Sequence, residues 1–468
     1  MTTSPHSSLK HRVVTRDTSL VRQILAFMIA AVCIFSTVSG YAAPKKKEKK
    51  SPKASLSTSR LYSKSRPPVA PRKVAPAEEP EDDSVILEPI SIKGAQTLPV
   101  TALEKVAIIR TGPQQVRLEK APKFKTRFAG RVAGITEKHD FVFFTVDQEL
   151  QAFTDKLVKQ VRAPHVAVVA MEPRTGRILA MSEKSSLSKE LYSHTGLPAA
   201  SIFKIVTSAA ALETNEVDPY RPVPFRGGTY SLTRWNYLPN SKTDKRQMTL
   251  AEALGKSCNV VFARVALKHL NPRLLREYAL LFGFNRDLEA DLPLSQSSAF
   301  IPENDDYELG RTAAGFGEVT LSPVHAAALV SGIANNGLLP KPILIDKIVS
   351  GDGTITYKSQ PEAITRIVAP KTATVLLDMM EYTTTMGTSR GAFMHKKRKL
   401  LPFDVAAKTG TLSGTNPEGV NHWFVATAPI KNPRIALSVI VVNAPGSGVK
   451  ASRLGKSVIE QYLRNNRN

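Results

Sequence analysis

Two sets of short apolar runs lie at opposite ends of residues 141–468, and the stretch between them has helical spacing. The first set is Phe141–Asp147, read as a strand or entry segment, then His165–Met171 and Arg177–Met181. The last two flank a turn at Glu172-Pro-Arg-Thr-Gly176 and so read as a β-hairpin. The second set is Phe403–Thr411, Trp423–Ala428 and Arg434–Val442. Between the entry segment and the hairpin, Gln148–Val161 has helical spacing, with Leu150, Phe153, Leu157 and Val161 on one face. Ala451–Leu463 reads as a closing helix, and residues 198–400 are dominated by helical patterns. Strands from both ends and helices from the middle predict an α/β (αβα) architecture: an antiparallel sheet built from both ends of the domain, helices on its faces, and an inserted helical lobe.

The residues before 141 differ in character. Lys10, Arg12, Arg16 and Arg22 precede the apolar run Ile24–Phe35, which is followed by the small residues of Ser36–Ala43. That order, basic then apolar then small, is that of a secretory signal, and Gly40 and Ala42 suit the −3 and −1 sites of cleavage. An uncleaved anchor helix over 24–43 is the alternative. Both place the rest of the chain outside the cytoplasm, periplasmic and associated with the inner membrane. Cys33 does not suit a lipid-modified cysteine, because Val32 stands where a small residue is expected. Residues 44–83 are rich in Lys, Pro, Ser and Ala and read as a disordered basic linker. Residues 84–140, with short β-like runs such as Val106–Ile109 between Gly and Pro, are expected to form a small accessory module.

Charge and cysteine content narrow the function classes. The formal net charge is +24, and 15 basic against 4 acidic residues precede position 81, so nearly half of the excess belongs to the tail. Such a chain suits an anionic surface: nucleic acid, lipid headgroups or an acidic wall polymer. The chain carries no nucleic-acid reader motif, and an export signal upstream of the Lys runs argues against a nuclear role. Its 2 cysteines, Cys33 and Cys258, provide neither a disulfide framework nor a cysteine zinc site.

Three motifs follow one another: Ser201-Ile-Phe-Lys204, Ser257-Cys-Asn259 and Lys408-Thr-Gly410, the last followed by Thr411. S-x-x-K alone is weak, since Ser7…Lys10 and Ser186…Lys189 also match it. Ser201, however, stands just before the helical run Ile205–Glu213. There it suits an N-cap or, with Lys204 one turn along on the same face, a hydroxyl with an adjacent base. Ser257 and Asn259 sit at a helix break after Gly255, which suits either a capped turn or a polar relay. Lys408 opens a strand pattern, as a guard on an edge strand or as a cation beside a groove. In the second reading Gly410 stays bare to admit a substrate chain, and Lys408, Thr409 and Thr411 meet a carboxylate.

In this order and spacing the trio resembles the transpeptidase domain of penicillin-binding proteins, within the serine acyltransferase and β-lactamase-like superfamily. The resemblance extends over most of 140–468, through Thr145–Gln151, Val166–Ala170, Gly176–Met181, Gly315–Pro323, Ala334–Gly337, Ala407–Thr411 and Trp423–Pro429. Departures are Ala200 and Ala407, where many members have Gly, and Phe316 in place of a common Gln. Residues 84–140 are short for a glycosyltransferase module, so a monofunctional protein is expected.

The resemblance implies acyl transfer on D-Ala-D-Ala stem peptides of peptidoglycan. Ser201 is implied as nucleophile, Lys204 as its base, Ser257 as proton relay, Asn259 as a substrate-amide contact, and Lys408, Thr409 and Thr411 as the carboxylate site. The backbone N–H groups of Ser201 and Thr411 are the implied oxyanion hole. No metal or organic cofactor is implied, and β-lactams are expected to trap Ser201. A D,D-carboxypeptidase or a β-lactamase would use the same serine. A non-catalytic wall scaffold or β-lactam sensor would keep only the fold.

Overall fold

The computed structural model describes residues 102–112, 115–187, 190–444 and 448–466. The expected signal or anchor at 1–43 and the linker at 44–83 lie outside the described residues. Among these residues, no helix is long and apolar enough to cross a membrane.

Along the chain, β1 (Arg131–Ile135) and β2 (Phe141–Phe144) pair antiparallel, with Ala133 opposite Phe143. Helix α1 (Gln148–Gln160) follows, capped by Asp147, whose side chain accepts the Leu150 N–H. Next come the hairpin β3 (His165–Met171) and β4 (Ile178–Lys184), then α2 (Lys204–Glu213). Helices α3 (Leu250–Lys256), α4 (Asn259–His269) and α5 (Pro323–Ala334) build the interior of the inserted lobe. Strand β5 (Ile345–Val349) leaves the lobe, α6 (Pro370–Thr385) returns to it, and β6 (Ala406–Thr415), β7 (Glu418–Ala428), β8 (Ile435–Asn443) and α7 (Ala451–Asn465) complete the chain.

The main sheet runs β6-β7-β8-β3-β4, antiparallel throughout. The C-terminal strand β8 pairs with the N-terminal strand β3, with Val439 opposite Val168. The expected sheet built from both ends is therefore present, and the whole helical lobe is inserted between β4 and β6. Side chains alternate across it. Val166, Val168 and Ala170 enter one apolar cluster, together with residues of α1 and α7. Ala167, Val169 and Met171 enter the other, with α2, α4 and α5. Every residue of β3 and β8 is buried, because both faces carry helices; this is why these strands read as continuous apolar runs rather than as alternation.

The structure extends one expectation and corrects another. The expected stripe does meet the core, with Leu150 and Val161 buried and Phe153 and Leu157 packed against the same cluster in part, but the fully buried face of α1 also takes in Gln151, Thr154 and Val158. The reason is polar. β4 is an edge strand, and the Gln151 amide satisfies its Met181, accepting the N–H at 2.9 Å and donating to the carbonyl at 3.0 Å. Gln151 and Thr154 also bond Ser182 Oγ, at 2.8 and 2.7 Å.

The correction concerns the boundary at 140/141, which does not separate two cores. β2 pairs with β1 on one side and with β5 on the other. Val106, Val116, Leu118 and Val132 share the core of α2 and α5, and the described residues all fall in one compact unit. The buried Asp291 carboxylate fastens this junction, accepting the Leu344 and Ile345 N–H groups at 2.8 and 2.7 Å. Its backbone carbonyl accepts the Leu118 N–H.

Candidate active site

Ser201 lies on a single 3-10 turn, Ala200–Ile202, and α2 begins at Lys204. The serine thus precedes the helix rather than capping it, and no side chain caps α2. The turn is held from three sides. Trp423 Nε1 donates to the Pro198 carbonyl at 2.8 Å. Gly410 of β6 lies so close that a Cβ there would meet Ala200 Cβ and Trp423 Cβ at 3.3 Å. Its missing side chain makes room for the Ser201 turn, and Gly410 also lines the cleft beside it. Gly315, at φ +88°, abuts the turn from the lobe. Ala200 itself has φ +50°, a region that suits the Gly common in the family and costs an alanine roughly 1 kcal/mol.

A Cβ on Gly315 would stand 2.2 Å from the Ala200 carbonyl oxygen and 3.0 Å from Ser201 N. Gly315→Ala is thus expected to destabilise the fold by about 2–4 kcal/mol. Thermal melting measures this loss, and slower covalent labelling of the surviving folded fraction reports displacement of Ser201.

Helix α2 is buried from Lys204 through Ala211, as its nearly unbroken apolar sequence requires. Lys204 enters this interior because three oxygens receive its amine. Nζ donates to Ser201 Oγ at 2.9 Å, to Asn259 Oδ1 at 2.8 Å and to the Ala314 carbonyl. Burial pushes the amine down to about 7, since no carboxylate offsets the lost hydration of the charged form.

The second motif is a helix break, as expected. A capping box at Thr249 and Glu252 starts α3, and Ser257 ends it in the left-handed region at φ 57°. Asn259 opens α4; its N–H donates to the Thr229 carbonyl at 2.9 Å and its Nδ2 to the Tyr230 carbonyl. Its oxygen faces Lys204, so one amide hydrogen is left for the cleft.

The third motif lies on β6, the edge strand beside the lobe. Lys408 is fully buried and donates to Ser257 Oγ at 3.0 Å and to the Thr409 carbonyl at 2.7 Å. Burial first, and the neighbouring Lys204 charge second, hold its amine far below the usual lysine range. Thr409 meets Thr388 through their hydroxyls. Thr411 Oγ1 lies 3.3 Å from Nδ1 of His422, its partner on β7.

All eight residues singled out in the sequence converge. Ser201, Ser257, Asn259 and Thr409–Thr411 line one cleft of about 510 Å³, and Lys204 and Lys408 stand directly behind it. Tyr230, Phe316, Thr388, His422 and Lys450 also line the cleft, and sequence reasoning had assigned none of them a role. Phe316 was noted only as a departure. Thr388 and Lys450 carry no motif signal; the fold alone brings Thr388 to Thr409 of β6 and Lys450 to the cleft. Cys258 is buried and unpaired. No cluster of His, Cys, Asp or Glu suited to a metal occurs among the described residues.

A two-faced antiparallel sheet, with a serine and two buried lysines where its edge meets a helical lobe, defines a class of acyl-transferring serine proteins. Residues 166–460 match the family model of the penicillin binding protein transpeptidase domain, and the chain belongs to that family. A similar curated protein is peptidoglycan D,D-transpeptidase PbpA of Mycobacterium tuberculosis, 28% identical over 344 residues, which cover 64% of this chain and 67% of PbpA. The crystal structure of PBPA from M. tuberculosis aligns with a TM-score of 0.57 at 25% identity, over 71% of this chain and 83% of that one. The imipenem acyl-enzyme complex of penicillin-binding protein A from the same organism aligns with a TM-score of 0.55 at 26% identity, over 71% and 80%.

Proposed function

We propose that the protein is a peptidoglycan D,D-transpeptidase that cross-links stem peptides through an acyl-enzyme on Ser201. The observation that carries this reading is the 2.9 Å contact between Ser201 Oγ and the buried Lys204 amine, whose basicity is tuned to about 7. A neutral amine at that distance is a competent base for a hydroxyl.

In the first half-reaction, Ser201 Oγ attacks the carbonyl carbon of the penultimate D-Ala while its proton passes to Lys204 Nζ. The N–H groups of Ser201 and Thr411 receive the oxyanion. The C–N bond to the terminal D-Ala then breaks, and the departing nitrogen takes a proton through Ser257, which Lys408 orients. Asn259 holds a substrate amide with its remaining N–H. The terminal carboxylate meets the hydroxyls of Thr409 and Thr411, with Lys408 behind them. In the second half-reaction the amine of a neighbouring stem attacks the ester carbon and loses a proton, and Ser201 regains its hydrogen. A β-lactam opens its ring on the same oxygen and stays bound.

The β-lactamase alternative is disfavoured because no Asp or Glu is among the residues lining the cleft, so a deacylating water has no carboxylate base there. The edge position of β6 favours peptide donors, which can extend along its unpaired groups. We place the catalytic unit outside the cytoplasm, with 1–43 as export signal or inner-membrane anchor and 44–83 as a spacer to the wall.

The test supplies a D-Ala-D-Ala donor peptide with and without an acceptor amine, alongside a fluorescent penicillin. The expected result is stable penicillin label, with D-Ala release accompanied by a cross-linked product. Release with only hydrolysed donor would make the protein a carboxypeptidase, and rapid penicillin turnover without lasting label would make it a β-lactamase.

A further inference from the structure

Three lysines stand in or beside the cleft, and two are engaged by the protein. Lys204 and Lys408 are fully buried and donate to protein oxygens. The third, Lys450, is exposed and immediately precedes α7. Of the residues that line the cleft, it alone bears a formal charge at neutral pH. It makes no ion pair among the described residues. With no acidic side chain on the cleft wall, nothing there neutralises it or repels an anion.

The direction of β6 decides which part of a substrate reaches Lys450. At the Thr409 end the cleft wall is knit together, with Lys408 bonded to Ser257 and Thr409 to Thr388. The nucleophile turn rests on Gly410. A donor whose terminal carboxylate sits at Lys408, Thr409 and Thr411 therefore runs its remaining length past Thr411. There Leu412, His422 and Lys450 line the cleft. His422 is within the field of Lys450; burial first and that charge second lower its pKa, so its imidazole stays neutral and leaves Lys450 as the cation.

We propose that Lys450, with His422 beside it, recognises a second carboxylate on the acyl portion of the donor. The protein thereby selects stem peptides that carry a free side-chain carboxylate upstream of the reacting carbonyl over those in which it is amidated. The proposal rests on the transpeptidase reading of the cleft and names the substrate class that reading leaves open. Lys450 is here a specificity residue, outside the groups that take part in the bond-making steps.

The test uses two pentapeptide donors ending in D-Ala-D-Ala. One has meso-diaminopimelate at the third position with its side-chain carboxylate free, and the other has that carboxylate amidated. In the wild type, kcat/KM is expected to favour the free carboxylate by about tenfold, the range for a charge-assisted contact in a half-open cleft. Lys450→Gln should bring the ratio close to one, and Lys450→Arg should restore it. A wild-type ratio already near one overturns the proposal. So does a Lys450→Gln variant that slows both donors equally, the signature of a structural role or of contact with the terminal carboxylate instead. Fluorescent penicillin labelling of the same samples separates this inference from its premise. Absence of label on the wild type removes the acyl-enzyme reading. Normal label without discrimination between donors removes only the role of Lys450.

Discussion

Ser201→Ala is expected to carry no covalent penicillin label under conditions that label the wild type to completion. The change removes the only hydroxyl paired with Lys204, and no neighbouring side chain replaces it: Ser257 Oγ is taken by Lys408. Loss of one hydrogen bond costs about 1 kcal/mol, a shift of only a few degrees in a domain this large. The variant should therefore melt near the wild type, crystallise with intact antibiotic or none, and fail to transfer acyl groups from a peptide donor. Persistent stoichiometric label on the alanine variant would place the nucleophile elsewhere.

The second large effect is expected at Lys204. Lys204→Met keeps an apolar chain of similar length within α2 but removes the proposed base, and the acylation rate constant should fall about 10²–10⁴-fold. The pH profile gives a sharper signature. Burial holds the amine at about 7, so below that pH it is protonated and unable to accept the Ser201 proton. Wild-type acylation should accordingly rise with pH through a midpoint near 7, and the methionine variant should lose that inflection. Stopped-flow acylation by a chromogenic β-lactam between acid and alkaline pH reads both quantities. A flat wild-type profile across neutrality would reassign the base, with Lys408 the remaining candidate, since its amine is also displaced downward.

Both predictions concern residues that could be found without coordinates, because their signal is local. Ser201 and Lys204 are three positions apart at the start of a helical run, so one helical turn brings them together whatever the rest of the chain does. Ser257 and Asn259 follow a Gly in a stretch that otherwise reads as helix, and a break there leaves polar side chains at a helix end. The β3–β4 hairpin is as legible, since its two runs and its turn are contiguous.

Other features depend on partners distant in the chain. The apolar spacing of α1 found the residues that meet the core but not the polar Gln151 buried beside them, which the Met181 backbone required. Gly410 looked only like room for a substrate, yet a Cβ there would also crowd Ala200, more than two hundred residues away. The segment before residue 141 seemed separable until β5, from far downstream, proved to be a partner of β2.

The sequence by itself determined the strands at the two ends of the domain, the helices beside them, and the three polar motifs, because periodicity and short spacing act through neighbouring residues, but not β5 within the stretch that reads as helical. Only the tertiary structure decided that Lys408 meets Ser257 across 151 positions, that Trp423 anchors the turn before Ser201, and that Lys450 remains the one exposed cation in the cleft. Those outcomes depend on which buried amines find protein oxygens and which are left to water, and that is settled when the sheet closes from both ends of the domain against its inserted lobe.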